Sequence, residues 1–498
     1  MRLYNNLFPA LVLTRQARCA YIGARSSCTL DDLSNQLSLI NSSLSHNATI
    51  ISIVPVQLNS SYGDSTVFLG VPLMVSTGLP DLCAVEVNVT SSDSSSYMFS
   101  LFLPFDWNSR FLTVGGGRTG GYINYLDMGV GTHYGFATMS TDNGHMGSPY
   151  DIEWVYKCQE KEIDWGYRAM HGSVELAKDL IKGYYGEDIK YSYYCGCSTG
   201  GRQGLKEAHI SADSFDGMLI GAAAWWASHQ VSWITKISKD YFPIGDPKSI
   251  LAGLFSSLVY PSVVEQCDEV DGVKDGIVSS PESCHPDFEV LSCEKPGANS
   301  SACLTDAQLE TLGKIYADYY VGPEFVHPAL ELSSETGWSQ NLFGSEPLSF
   351  GVNFIRYAVF EDLNWPLDAY NDTVYEYIKN LDIMHAIDAD EFDMSPYRDQ
   401  GGKILMYDGL SDPLIVTRGS SSTSRSSWRR ACRIPSPTGS GFSSSRECST
   451  AWAHAGQNWL IGSDVYSVSG SLAQLQLDRS ELWCVHTRRK LCMRTLVM

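Results

Sequence analysis

Between about Asp81 and Ala224, short apolar runs alternate with stretches of helical spacing. Arg110–Val114, Gly135–Ser140 and Tyr191–Cys195 have the length and β-rich composition of strands. Tyr167–Tyr185 repeats its apolar residues at the period of a helix. Strands that alternate with helices predict crossovers between parallel strands, and so an α/β fold. From about Trp225 to Ile387 the alternation is lost, and the segment is irregular, rich in Pro, Trp and Tyr, and carries four cysteines. It is predicted as an insertion, after which the strand-like run Lys403–Tyr407 returns the chain to the sheet. The units expected are an N-terminal extension over 1–80 packed on the core, core over 81–225, an inserted lid over 226–386 and core again over 387–417. Residues 418–498 break the pattern: RGSSSTSRSSWRRACRIPSPTGSG is Ser/Arg-rich, unlike any buried strand or helix.

Composition narrows the function. A formal charge of -21 over 498 residues disfavours nucleic acid and anionic membranes as partners, since like charges repel. No run reaches the roughly 18 to 20 apolar residues of a membrane span. Fourteen scattered cysteines fit disulfides in an oxidising compartment better than paired metal knuckles. Sequons at Asn41, Asn47, Asn59, Asn88, Asn299 and Asn371 point the same way, so the protein is expected to be secreted and extracellular. The N-terminus fits this poorly, because the apolar stretch Leu7–Leu13 is soon interrupted by Arg15 and Arg18.

The chemistry centres on IKYSYYCGCSTGGRQG, where a strand-like run enters Gly196-Cys197-Ser198-Thr199-Gly200 and a helix follows. A serine hydroxyl becomes a useful nucleophile on a sharp strand-to-helix turn, where flanking glycines tolerate the strain and the helix N-terminus stabilises developing negative charge. Ser198 is therefore the candidate nucleophile. An oxyanion needs preorganised backbone N–H donors: one from Thr199, the residue after the nucleophile, and one from the loop Gly115, Gly116, Gly117 that follows the run Phe111–Val114. The acid that orients a histidine base should follow a late strand, and Asp412 stands five residues beyond Tyr407, with Asp408 as competitor.

The blocks GCSTGGRQG, RFLTVGGG, STDNGH (Ser140–His145), YRAMH (Tyr167–His171) and GGKILMYDGLSDPLI together resemble the tannase and feruloyl esterase family, in order over roughly residues 80 to 417. The resemblance implies an α/β-hydrolase core with a large lid, hydrolysis of phenolic acid esters on small molecules or plant polymers, and Ser198 and Asp412 as members of a catalytic triad. Feruloyl and galloyl esters are both open. Asp408 stands where the family usually has a histidine. Cys197 matches a family cysteine whose disulfide partner follows the catalytic histidine.

CDEVDGVKDGIV resembles the family's lid calcium loop. That implies a Ca²⁺ cofactor held by Asp268, Asp271 and Asp275, with carbonyls of Val273 and Ile277; carboxylates at this spacing can supply the oxygen ligands calcium requires. Pairs Cys267 with Cys284 and Cys293 with Cys303 would staple the same region, and Cys28 with Cys83 would tie down the N-terminal segment.

The base is where the chain departs from the family. His454 lies at about the right distance after Asp412 and His486 is the alternative, but neither has the Gly-Met-x-His-Cys setting that the resemblance implies. Codons for GSSSTSRSSWRRA, read two nucleotides on, can encode Gly-Phe-Val-Val-Asp-Phe-Ser-Lys-Leu-Val-Glu-Ala-Arg, an amphipathic segment suited to a hydrolase helix. The expectation is an irregular C-terminus, possible reading-frame disruption, and, as the competing function, a catalytically inactive secreted binding protein or non-functional gene product.

Overall fold

The computed structural model describes residues 28–29, 47–64, 74–299, 302–391, 393–419 and 494–497. Its main sheet has nine strands: β1 (Asn47–Val56), β4 (Leu82–Ser92), β5 (Ser95–Pro104), β6 (Arg110–Val114), β7 (Ala137–Thr141), β8 (Tyr191–Cys197), β9 (Gly217–Gly221), β12 (Lys403–Asp408) and β13 (Arg494–Val497). They lie in the order β1-β4-β5-β7-β6-β8-β9-β12-β13. The run β7-β6-β8-β9-β12 is parallel, while β1, β4 and β5 join antiparallel at one edge and β13 at the other. Two small ribbons complete the strands, β2 (Ser60–Asp64) with β3 (Met74–Leu79), and β10 (Tyr319–Val321) with β11 (Glu324–His327). This is the expected α/β architecture.

Burial explains the central strands. Both faces of β7 are covered, so all five of its residues are buried, and its sequence Ala-Thr-Met-Ser-Thr carries no charge. The helix Ala169–Tyr185 lays Val174, Leu176, Ala177, Leu180 and Ile181 on the sheet and stops at Gly186, whose φ of 67° suits a glycine cap. It continues a longer helical run through a π segment, Asp164–Arg168, so its predicted start at Tyr167 falls inside the helix.

Two boundaries differ from the sequence reading. Asn47–Val56 pairs with Leu82–Ser92 along nearly its whole length, so the N-terminal extension is part of the sheet and not merely packed on it. Residues 494–497 form a strand against β12, with Leu405 opposite Val497, so the C-terminal segment is not irregular throughout; its end, Thr-Leu-Val, is β-branched and apolar. The remaining expectations for 420–493 lie outside the described residues.

The insertion has its own core, in which Trp233, Tyr241, Phe255, Trp338 and Phe343 pack together. Its two ends meet. Ala389 N–H donates to Trp225 O (2.8 Å), Ser228 N–H donates to Asp388 Oδ1 (3.0 Å), and the Ser228 hydroxyl donates to the other Asp388 oxygen. All three implied disulfides are formed: Cys28–Cys83, Cys267–Cys284 and Cys293–Cys303. The first closes the longest loop, 55 residues, and so removes the most freedom from the unfolded chain.

Buried titratable groups of opposite kind set the pH response. Loss of water pushes the Asp142, Asp388 and Glu335 carboxyls up to about 7 and Glu162 up to about 8, Glu361 adding to the last. It pulls His145, His209 and His229 down to about 4 and His327 to about 3. A carboxyl raised on folding stabilises the native state at low pH and loses that contribution as pH rises through its folded value; a depressed histidine does so as pH falls. From about pH 4.5 to 6.5 the two sets oppose each other. Above about pH 6.5 the histidines are neutral in both states and only the carboxyls still titrate. Tm is therefore expected to be nearly level between pH 4.5 and 6.5 and to fall from 6.5 to 8, with a shallower fall in Asp388→Asn. A Tm that climbs from pH 6.5 to 8 would contradict this assignment.

Candidate active site

Ser198 is the single residue between β8 and the helix Thr199–Ile210, with φ 58° and ψ -122°. For a residue with a side chain such a conformation costs about 1–3 kcal/mol and persists only when its surroundings impose it. Here Ser198 N–H donates to Gly221 O (3.0 Å), and Ser198 O accepts from Arg202 N (3.1 Å) and Ala224 N (3.0 Å). The adjacent glycines serve close approach rather than left-handed backbone. A Cβ on Gly196 would lie 2.7 Å from the Gly200 carbonyl, and one on Gly200 would lie 2.8 Å from Gly116 O.

Thr199 is the first residue of its helix, so its N–H has no intrahelical acceptor, and its hydroxyl donates to Arg118 O (2.7 Å). The expected partner loop is built differently. Gly115 N–H donates to Cys195 O (3.0 Å), continuing the β6–β8 ladder, and Gly116 N–H donates to Gln203 Oε1 (3.1 Å). Neither amide is free, which corrects the oxyanion assignment of Gly115 and Gly116. Gly117 faces the Tyr122 hydroxyl, and the next amide along is that of Arg118, at φ 51°.

Gln203, Asn143 and Arg202 lie in the blocks that carry the resemblance but were given no role in the sequence reading. Gln203 Nε2 donates to Asn143 Oδ1 (2.7 Å), so one buried amide joins the Gly116 loop to the loop after β7. Arg202, 1 % exposed, gives hydrogen bonds to Gly166 O (2.7 Å), Ile387 O (2.8 Å) and Trp165 O (3.0 Å) and lies over the Trp165 ring. The available signal was position: three and four residues after Thr199, both lie in the first turns of the helix behind the nucleophile.

Asp412 lies on the loop after β12. Its Oδ1 accepts N–H from Leu414 (2.9 Å) and Ile415 (2.8 Å), while Oδ2 has no protein partner among the described residues. Burial raises its carboxyl, and those two amides with the nearby Arg118 charge oppose the rise. Asp408 is buried at the end of β12. Loss of water, then Asp412, then Asp408, pushes the Cys197 thiol up to about 12, although the residue itself is exposed. Both carboxylates therefore stand on the nucleophile's side of the sheet. The base candidates His454 and His486, and the cysteines that could pair with Cys197, lie outside the described residues.

The calcium residues do not gather. Asp268 Oδ1 accepts N–H from Asp275 (3.2 Å), Gly276 (3.0 Å) and Ile277 (3.2 Å), and Asp271 Oδ1 accepts from Val273 (2.9 Å). Among the described residues no three His, Cys, Asp or Glu side chains form a metal-sized cluster. As arranged, this loop is closed by amides on Asp268 rather than by oxygens around a cation.

A parallel sheet that delivers a serine on a strained strand-to-helix turn defines the α/β-hydrolase class. The chain belongs to the tannase and feruloyl esterase family, whose model matches residues 83–426. It is 35% identical over 346 residues to a probable feruloyl esterase B-2 of Aspergillus terreus, covering 68% of this chain and 64% of that protein. It is 33% identical over 379 residues to a probable feruloyl esterase B-1 of Aspergillus oryzae, covering 75% and 69%. The match thus spans about two thirds of these relatives' length. The crystal structure of feruloyl esterase B from Aspergillus oryzae superposes with a TM-score of 0.72 at 29% identity, over 81% of this chain and 80% of that one.

Labelling by a fluorophosphonate probe tests the nucleophile. Ser198→Ala should lose the label and keep its Tm, because the fold does not depend on the hydroxyl. A label that persists in the variant removes Ser198 from the role.

Proposed function

We propose that this protein is a secreted carboxylic ester hydrolase acting on phenolic acid esters through an acyl-enzyme. The observation that carries the proposal is the Ser198 turn, held at φ 58° by hydrogen bonds from three directions, with the buried Asp412 near enough to act on the neighbouring Cys197. Ser198 Oγ attacks the ester carbonyl and its proton passes to a histidine, for which His454 is the first candidate and His486 the second. The oxyanion forms against the Thr199 N–H at the helix N-terminus, and the alcohol leaves with the histidine's proton. Water then attacks the acyl-enzyme by the same route. Asp412, anchored through Oδ1, offers Oδ2 to orient the histidine.

Ala223, Ala224, Trp226, Gln230, Phe325 and Ile415 line a cleft of about 30 Å³ that begins at the amide bonded to Ser198 O. Its aromatic walls suit a phenolic ring, which the cleft would have to widen to take. The relatives at 33% identity and above carry the name feruloyl esterase, which supports ferulate ahead of gallate as the acid.

Turnover of methyl ferulate, with methyl gallate alongside, tests this reading. Asp412→Asn should lower kcat by about 10³- to 10⁴-fold while KM changes little, since the orienting acid acts mainly in the transition state. No turnover of either ester by the unaltered chain would overturn the proposal and favour the inactive alternative.

We propose calcium as an accessory of the same fold, and no catalytic step depends on it. Support comes from three aspartates within eight residues, from Gly272 and Gly276 at positive φ, and from Cys267–Cys284, which pins the loop. Asp271 and Asp275 are exposed and would have to turn toward Asp268. A chelator should lower Tm by a few degrees through loss of an ion bound only by the folded state, and Asp271→Ala should abolish that response. An unchanged melting curve with chelator would reject the ion.

A further inference from the structure

Two hydrogen-bond acceptors in the cleft beside Ser198 have no role in the chemistry above. His327, the last residue of β11, and Gln230, on the helix Ala227–Tyr241, both line it. So do Ala224, whose N–H donates to Ser198 O, and Ile415, whose N–H donates to Asp412 Oδ1. The cleft therefore runs between the backbone support of the nucleophile and that of its acid. Trp226 and Phe325, both only half-buried, are the walls that part to admit a ring.

The neighbours of the two side chains fix which atoms are left over. His327 Nδ1 lies 2.8 Å from Pro328 O, and because a carbonyl only accepts, Nδ1 carries the proton. Nε2 is then a bare acceptor. It has no partner among the described residues, and it keeps accessible surface. The ring is stacked on Trp233, with centroids 4.1 Å apart, which holds its plane. Burial pulls it down to about 3, so it stays neutral and Nε2 stays an acceptor over the ordinary working range. The same reasoning orients Gln230. The atom 3.4 Å from Leu414 O is the donor Nε2, which leaves Oε1 as an acceptor that is likewise accessible and without a partner among the described residues. Two bare acceptors in a narrow aromatic cleft are costly unless a ligand donates to them. A ring that carries a hydroxyl satisfies both demands, since its faces meet Trp226 and Phe325 and its O–H meets an acceptor.

We propose that His327, supported by Gln230, selects the acid half of the ester by accepting the hydrogen of its phenolic hydroxyl. A ring with a free hydroxyl is taken, and its methyl ether, which has no hydrogen to give, is refused. The inference rests on the ester hydrolase reading for the reaction, but binding in the cleft does not require turnover.

The test titrates the Ser198→Ala protein by calorimetry with methyl ferulate and with methyl 3,4-dimethoxycinnamate, which differ only in the methyl group on that hydroxyl. Methyl ferulate is expected to bind at least about tenfold more tightly. His327→Phe, which keeps a ring against Trp233 and removes the acceptor, should bring the two esters within about twofold of each other. Gln230→Leu should narrow the preference at least about threefold, and it carries the test alone if His327→Phe does not melt cooperatively. Equal binding of the two esters, binding of neither, or a preference that survives both substitutions overturns the assignment. A preference shown by a chain that turns over no ester upholds the cleft and counts only against the hydrolase reading. Turnover of both esters with equal kcat/KM upholds the hydrolase and overturns the role of His327.

Discussion

The backbone of Ser198 is the constraint on which the rest of the site depends. A serine at φ 58° springs back unless its neighbours forbid it, and three hydrogen bonds to its N–H and C=O, from β9, from the helix Thr199–Ile210 and from Ala224 on the way into the lid, do so together. Each draws on a different stretch of chain, so the nucleophile is presented only when the sheet, the helix and the approach to the insertion are in place. The close packing of Gly196 and Gly200 follows from the same demand. The helix must pass so near to β8 and to the Gly116 loop that no Cβ fits between them.

The first turns of that helix distribute the restraint. Thr199 holds the Arg118 carbonyl, Gln203 holds Gly116 and Asn143, and Arg202 holds Gly166 and Ile387. Five consecutive residues thus connect the loop after β6, the loop after β7, the helix over the sheet and the exit from the lid. Arg202 is a costly device, since no carboxylate among the described residues forms an ion pair with its buried guanidinium, and loss of water pulls it down to about 10 against the distant charge of Asp388. Three carbonyls and the Trp165 face replace the water it gave up, which makes it a clamp for backbone rather than a source of charge.

Much of this was legible in the sequence because the signals are local. A strand, a glycine, the serine and a helix follow one another within a dozen residues, and Asp412 lies close behind its strand, so both candidates emerged without knowledge of contacts. The disulfide pairs came through the family resemblance, and the structure forms all three. The oxyanion loop did not yield to the same reasoning. Three glycines signal close approach but not which amides stay free, and that is decided by Gln203, 87 residues further on. In the calcium loop too, carboxylate spacing sets what could converge, while the amides of 275 to 277 determine where Asp268 turns. The strand Asn47–Val56 was missed because its partner was taken as the start of the core.

The insertion shows how a hydrolase sheet carries more than a hundred and fifty extra residues without losing its register. Loop closure grows expensive only slowly with length, so what matters is that entry and exit coincide. Trp225 and Ala389 exchange a ladder-like bond, and Asp388 receives both the amide and the hydroxyl of Ser228, so the sheet meets the lid as a short closed loop. Lys206 then reaches from the elbow helix to the carbonyls of His385 and Asp388 and joins that closure to the nucleophile's own support. Beyond this neck the aromatic core of the lid takes in Ile152, Val155, Trp165 and Val416 of the hydrolase core, so the two parts pack on each other as well as meeting at the neck. Trp165 also carries the Arg202 guanidinium on its face, so lid packing and the support of the nucleophile's helix meet at one side chain.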